Sequence, residues 1–226
     1  MTRKLRDNGL SLVAASLFVL ALAGQAFTGF KVYNEDQADH GQQEVGFGKY
    51  LTTGAFYEAT FENWESEFLQ MSAFIFLTAF LVQRGSAESR KPDGTPTGDG
   101  GEGDEDPRDH AGDAGAPWPV RRGGWVLKAY ENSLSLVLFV VFLLCFAGHA
   151  IGGAAEYSQD QLAHGGTAVT ALGYLGTPRF WFESFQNWQS EFLSVLAVVL
   201  LSIVLRQRGS PESKPVHAPH SSTGAG

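Results

Sequence analysis

Glu67 and Glu191 occupy the same place in two nearly identical stretches, Asn63-Trp64-Glu65-Ser66-Glu67-Phe68-Leu69 and Asn187-Trp188-Gln189-Ser190-Glu191-Phe192-Leu193, which agree at six of seven positions. Each stretch runs directly into an apolar segment, Phe68 to Val82 and Phe192 to Leu205. A carboxylate at the edge of such a segment is costly unless another polar group meets it. Gln25 lies fifteen residues beyond Leu10 and His149 fifteen beyond Leu134, while Glu67 lies fifteen before Val82 and Glu191 fourteen before Leu205. At helical rise all four reach a common depth of roughly 21 to 22 Å. The spacing predicts a polar intramembrane site of Glu67, Glu191, Gln25 and His149, flanked by Asn63 and Asn187, that binds a proton, a cation or a small solute. The same residues also fit plain interhelical hydrogen bonds, or acids that reach interfacial water. Glu62 and Glu65 become Gln186 and Gln189 in the second stretch, whereas Glu67 and Glu191 are retained.

A second shared set lies in the segments Asn34 to Gly41 and Ser158 to Gly165. Asp36 and His40, like Asp160 and His164, are four apart and share a helix face, so two Asp and two His could surround a divalent ion. A short capped surface helix accounts for the same residues. Asn34 and Ser158 suit its N-cap, Gln37 and Gln161 its third position, and Gly41 and Gly165 the position past its end.

Other chemistry finds no support. Cys145 is the single cysteine, which excludes an intramolecular disulfide and a cysteine-based metal site. His217 and His220 stand in a polar tail. No nucleophile-base set, phosphate-cradling loop or HExxH helix occurs, so no catalytic residue and no cofactor is expected. Basic residues are few and gather at helix ends, which argues against nucleic acid as a partner.

The elements that position these residues follow from a repeat. Residues 8–90 match residues 132–214 at a constant offset of 124, with about 37 of 83 positions identical. Each copy opens and closes on an apolar run. The expected fold is all-α: four transmembrane helices, at about 10–29, 61–82, 134–154 and 185–205, forming two tandem hairpins in a membrane. The apolar cores of the second and fourth helices are only fifteen and fourteen residues long, short of the roughly 20 that span a bilayer. Extending them outward through the Asn-Trp-x-Ser-Glu blocks repairs this and places Trp64 and Trp188 at the outer headgroup level. Gly148-x-x-x-Gly152 and Gly24-x-x-x-Thr28 suit close helix contacts. The start, with Arg3, Lys4 and Arg6 before an apolar run, also resembles a secretory signal. The matching mid-chain run argues that it is kept as helix one.

Basic residues set the orientation. They flank the inner helix ends, at Arg84, Arg121, Arg122, Lys128, Arg206 and Arg208 among others, while the hairpin loops hold only Lys31, Lys49 and Arg179. Both termini and the segment between the copies are therefore expected in the cytoplasm. With an even number of spans per copy, the repeats run parallel, related by a pseudo-twofold along the membrane normal.

The segment between Gly85 and Val120 carries nine acids against Arg90, Lys91 and Arg108, hence six of the eight net negative charges. It holds too little apolar surface to offset its ordering entropy, so 91–124 reads as a disordered acidic linker and 215–226 as a disordered tail. These polar parts bring the mean hydropathy down to -0.07.

The chain resembles an uncharacterised family of small bacterial multi-pass membrane proteins. Asn8-Gly9-Leu10-Ser11-Leu12, Gly24-Gln25, Val32-Tyr33-Asn34-Glu35, His40-Gly41 and Ala59-Thr60-Phe61-Glu62-Asn63-Trp64-Glu65-Ser66-Glu67-Phe68-Leu69-Gln70-Met71 carry the likeness. It covers the chain apart from the linker and tail. The second copy departs at Ser133 for Gly9 and His149 for Gln25. The resemblance implies a bacterial cytoplasmic membrane and no catalysis. The expected partner is the lipid bilayer, with a homo-oligomer as a possible assembly and no small-molecule or ion ligand identified. Three functions stay open: a non-enzymatic structural, sensory or partner-binding role; an ion- or proton-linked transporter or channel using Glu67 and Glu191; and a membrane metalloprotein using the loop Asp and His residues.

Overall fold

The computed structural model describes residues 8–89, 106–210 and 212–224. Among these residues every regular element is helical. In chain order they are α1 (Gly9–Asp39), α2 (Phe47–Tyr50), α3 (Gly54–Phe80), a 3-10 turn (Pro107–His110), α4 (Trp118–Arg122), α5 (Gly124–Glu131), α6 (Ser133–Ala163), α7 (Ala171–Leu175) and α8 (Pro178–Leu201). α1 and α6 start and stop at positions 124 apart, and α3 and α8 start at the same offset.

Among the described residues, α1 and α6 are the two helices long and apolar enough to cross a membrane, with windows of mean hydropathy 2.0 and 2.6. At 31 residues each they reach about 46 Å, well beyond the roughly 30 Å hydrocarbon core. The excess length contains Asp36, Asp160 and their neighbours. The short capped surface helix expected at 34–41 and 158–165 is therefore not a separate element: α1 and α6 run through it without a break. Asn34 and Ser158 lie inside helices and cap nothing there. Instead Asn34 Nδ2 donates to the Val45 carbonyl (3.0 Å) and Asn34 Oδ1 accepts from the Val45 N–H (2.9 Å). Ser158 makes the equivalent pair with Val169, at 3.2 and 2.9 Å.

Both helices end on the expected glycines. Gly41 and Gly165 take φ of 68° and 78°, a left-handed conformation that costs glycine least. The N–H groups of Gln42 and Gly166 then reach back to the carbonyls of Gln37 and Gln161, at 2.8 and 2.7 Å. This closure satisfies carbonyls that the helix end leaves open.

The chain divides into two compact units: residues 1–61 with 147–180, and residues 62–146 with 181–226. In the first, each returning loop docks a tyrosine on a long helix. Tyr50 packs on Tyr33 and Tyr174 on Tyr157, both with ring centroids 5.6 Å apart. The room comes from Gly29 and Gly153, where a Cβ would collide with the Tyr50 and Tyr174 rings respectively. Burial, and then the Glu156 carboxylate, push the Tyr50 phenol above its ordinary pKa. α6 meets the start of α3 closely, since a Cβ on Gly152 would lie 2.7 Å from the Glu58 backbone nitrogen and one on Gly148 would meet the Phe61 ring.

In the second unit α3 binds α6 through Ser72, whose hydroxyl donates to the Ser135 carbonyl (3.0 Å). The ends of α3 and α8 lead into matching turns, in which the Gln83 and Gln207 N–H groups each donate to a serine hydroxyl six residues on, at 2.8 Å. Of the segment read as a disordered linker, 91–105 lies outside the described residues; the remainder holds the 3-10 turn and α4. Asp106 starts that turn by accepting from the Arg108 N–H and guanidinium, which hold its carboxyl down at about 2. The C-terminal segment, read as disordered from its composition, carries turns through Gly224. Lys214 anchors it: its buried ammonium donates to the carbonyls of Gly85, Ile203, His220 and Ser222. Desolvation, and then the Arg206 guanidinium, lower the Lys214 pKa.

Candidate functional site

Within the second unit, α3 and α8 share a seam on which three successive carboxylates of α3 each find a partner from α8. Asn187 Nδ2 donates to Glu62 Oε1. Glu65 is wholly buried, and its Oε1 accepts from Ser184 Oγ at 3.0 Å and Trp188 Nε1 at 3.2 Å. The Glu191 carboxyl stands near that of Glu67, which lies on an exposed face of α3. The α8 partners fall at 184, 187, 188 and 191, the i, i+3, i+4, i+7 spacing of one helical face. Trp188 is fixed by ring contacts with Phe142 and Phe185, at 6.3 and 5.5 Å. Ser66 and Ser190 turn their hydroxyls back onto the carbonyls of Asn63 and Asn187, both at 2.8 Å.

The three contacts differ chemically. At Glu62 and Glu65 neutral donors meet a carboxylate acceptor. At Glu67 and Glu191 two carboxyl groups come near each other, and a hydrogen bond between two carboxyls would need one proton.

The first unit carries its own polar cluster. His149 and Tyr174 have no exposed surface and Glu58 is buried. The Tyr174 hydroxyl donates to Glu58 Oε1 at 3.1 Å, and His149 stacks on Phe180 with centroids 4.7 Å apart. Ligand-capable atoms of Glu58 and His149 come within 4.8 Å, so a proton or a cation could be shared between them. Gln25 donates to Thr60 Oγ1 at 3.3 Å.

The loop residues pair locally. Nδ1 of His40 and of His164 each stands 2.9 Å from the carbonyl oxygen of the Asp four residues earlier, and 3.4 and 3.3 Å from that residue's carboxylate. The two imidazoles meet edge to face at 6.3 Å. The Asp36 carbonyl, and then its carboxylate, hold His40 above its ordinary pKa. Arg179 adds a contact to Asp160 at 3.7 Å.

Of the residues singled out from sequence, Glu191 stands near an exposed Glu67, Asn187 reaches Glu62 rather than either of them, and His40 approaches His164. Gln25 and His149 take the partners just given, and Asn63 lies on an exposed face of α3. Sequence reasoning passed over Glu58, Glu62, Glu65, Ser184 and Tyr174. Their signal was spacing: Glu58, Glu62 and Glu65 are four and three apart on one helix.

A family model described as a domain of unknown function (DUF6766) matches residues 1–225. No curated protein and no solved structure matches the chain.

Proposed function

The chain belongs to the family of the domain of unknown function DUF6766, and within it we propose a non-enzymatic membrane protein that takes up and releases protons, or small cations in their place, at the α3–α8 seam. The observation that carries this reading is the approach of the Glu191 carboxyl to that of Glu67, equivalent residues of the two repeats. A carboxyl pair in an apolar helical setting is a proton site by its chemistry, because two like charges in contact cannot both ionise cheaply.

The setting proposed is a bacterial cytoplasmic membrane, crossed four times by two tandem hairpins, with both termini inside. α1 and α6 support it through length and apolarity, and through large apolar side chains turned outward, such as Leu17, Leu20, Leu144 and Ile151. α3 and α8 complete the spans by running through the Asn-Trp-x-Ser-Glu blocks. Four helices enclose little space, which favours a homo-oligomer as the working form.

The test is proton flux in liposomes that hold the purified full chain, read with an internal pH dye after an imposed gradient. Wild type should dissipate the gradient faster than protein-free vesicles. Glu191→Gln should remove most of the difference, and Glu35→Gln, at an exposed position near the end of α1, should not. Flux equal to empty vesicles for proton and for sodium or potassium gradients would end the transporting form of the reading.

One observation favours a second reading, the approach of His40 and His164 beside Asp36 and Asp160. Elemental analysis of purified chain decides it: a stoichiometric divalent metal lost in His40→Ala supports a metal site, and metal-free protein removes it.

A further inference from the structure

The second unit contains a groove of about 470 Å³ between α3, α5 and α6, within the usual range of about 300 to 1,000 Å³ for small-molecule sites. Its wall is apolar, with Leu69 and Phe76 from α3 facing Leu136 and Phe139 from α6. Its polar groups lie towards the start of α6, where Lys128 and Asn132 form the rim. The Asn132 amide is held by donating to the Lys128 carbonyl at 3.0 Å, which fixes the two residues relative to one another. Among the described residues no carboxylate pairs with the Lys128 ammonium.

The surroundings of the rim have the composition of a bilayer interface. Trp118 and Trp125 are 66% and 81% exposed, and Arg121 and Arg122 end α4 in the same short stretch. Aromatic and basic residues gathered just before an apolar helix anchor that level of the chain at lipid headgroups. A slot with an apolar wall and a cationic rim fits an amphiphile of the same division. A free anion gains nothing from the wall, and a neutral apolar solute gains nothing from Lys128.

We infer that this groove binds one anionic phospholipid, with an acyl chain against Phe76 and Phe139 and its phosphate on Lys128 and Asn132. The acidic stretch around residues 93–106 repels anions in general, so a local cation that selects an anionic headgroup works against the overall charge of the chain. Only a lipid supplies both the chain for the wall and the phosphate for the rim.

Native mass spectrometry of the full chain in a non-ionic detergent tests this, with equimolar phosphatidylglycerol and phosphatidylcholine of identical acyl chains. The first bound lipid should be phosphatidylglycerol by about fivefold, the preference one membrane-surface lysine confers. Lys128→Gln should bring the ratio to about one, whereas Arg121→Gln should leave it. Ala73→Phe, which fills the groove, should reduce first-lipid occupancy of both kinds while circular dichroism reports unchanged helicity. Equal binding of the two lipids to wild type, or a preference that survives Lys128→Gln, would overturn the assignment.

Discussion

α3 and α8 carry almost the same seven-residue block, yet α3 has Glu62 and Glu65 where α8 has Gln186 and Gln189. The difference divides the labour of the seam. Had both helices kept all their acids, like charges would crowd one apolar interface. Instead α3 supplies acceptors, and α8 supplies donors from Ser184, Asn187 and Trp188. Within these blocks only Glu67 and Glu191 keep the acid in both copies, and there carboxyl stands near carboxyl. Divergence between the copies thus gives two α3 carboxylates donors from α8, while identity leaves two acids near one another.

The largest expected effect breaks the divergent part. Glu65→Leu leaves the Ser184 hydroxyl and the Trp188 indole without their acceptor and should cost about 3 kcal/mol, whereas Gln189→Leu, on an exposed face, should stay within about 0.5 kcal/mol. Thermal unfolding in detergent measures both, and equal losses would mean that the division does not exist. The glycines sharpen the same contrast between copies. Gly152→Ala pushes a Cβ onto the backbone of Glu58 and should cost about 1 to 3 kcal/mol. Gly24→Ala meets nothing within 4 Å, so its melting temperature should not fall. Smaller again, Tyr174→Phe removes the hydroxyl that donates to Glu58 and should cost about 1 kcal/mol; urea or thermal unfolding would show a smaller loss for Tyr50→Phe.

The smallest effect concerns the segments that follow α3 and α8, where Glu88 meets Glu212. Burial, and then the neighbouring Glu212 carboxylate, push Glu88 up to about 7. The folded chain then binds a proton that the unfolded chain releases near its ordinary value, so this contribution is complete below about pH 4.5 and fades as pH rises to about 7. Glu88→Gln should flatten that part of the stability profile, read as melting temperature against pH. An unchanged slope would place the carboxyl in free solvent.

How far the sequence foretold this depends on which question a residue pattern can answer. The offset between copies and the apolar runs were sufficient to place α1, α3, α6 and α8, and Gly41 and Gly165 marked two helix ends correctly. The extent of α1 and α6 was not legible, because Asn34 and Ser158 are good caps in isolation and only their bonds to Val45 and Val169 show them to be interior. The site was half legible. Retention in both copies pointed to Glu67 and Glu191, and the change to glutamine seemed to demote Glu65. Two residues on a helix are separated by about 200°, so which of Glu65 and Glu67 is buried depends on where the neighbouring helix lies. Partner identity also needs that geometry: Trp188 reads as a headgroup-level tryptophan until its indole, with the Ser184 hydroxyl, reaches the Glu65 carboxylate.

Infrared difference spectroscopy of the full chain in lipid vesicles, across a pH titration, tests the proton site most directly. Wild type should show a protonated-carboxyl band that persists well above the pH at which exposed acids ionise. Glu191→Gln should remove that band or shift its titration, and Glu35→Gln should leave it unchanged. A spectrum with no such band, or one identical in wild type and Glu191→Gln, would contradict a proton held between Glu67 and Glu191.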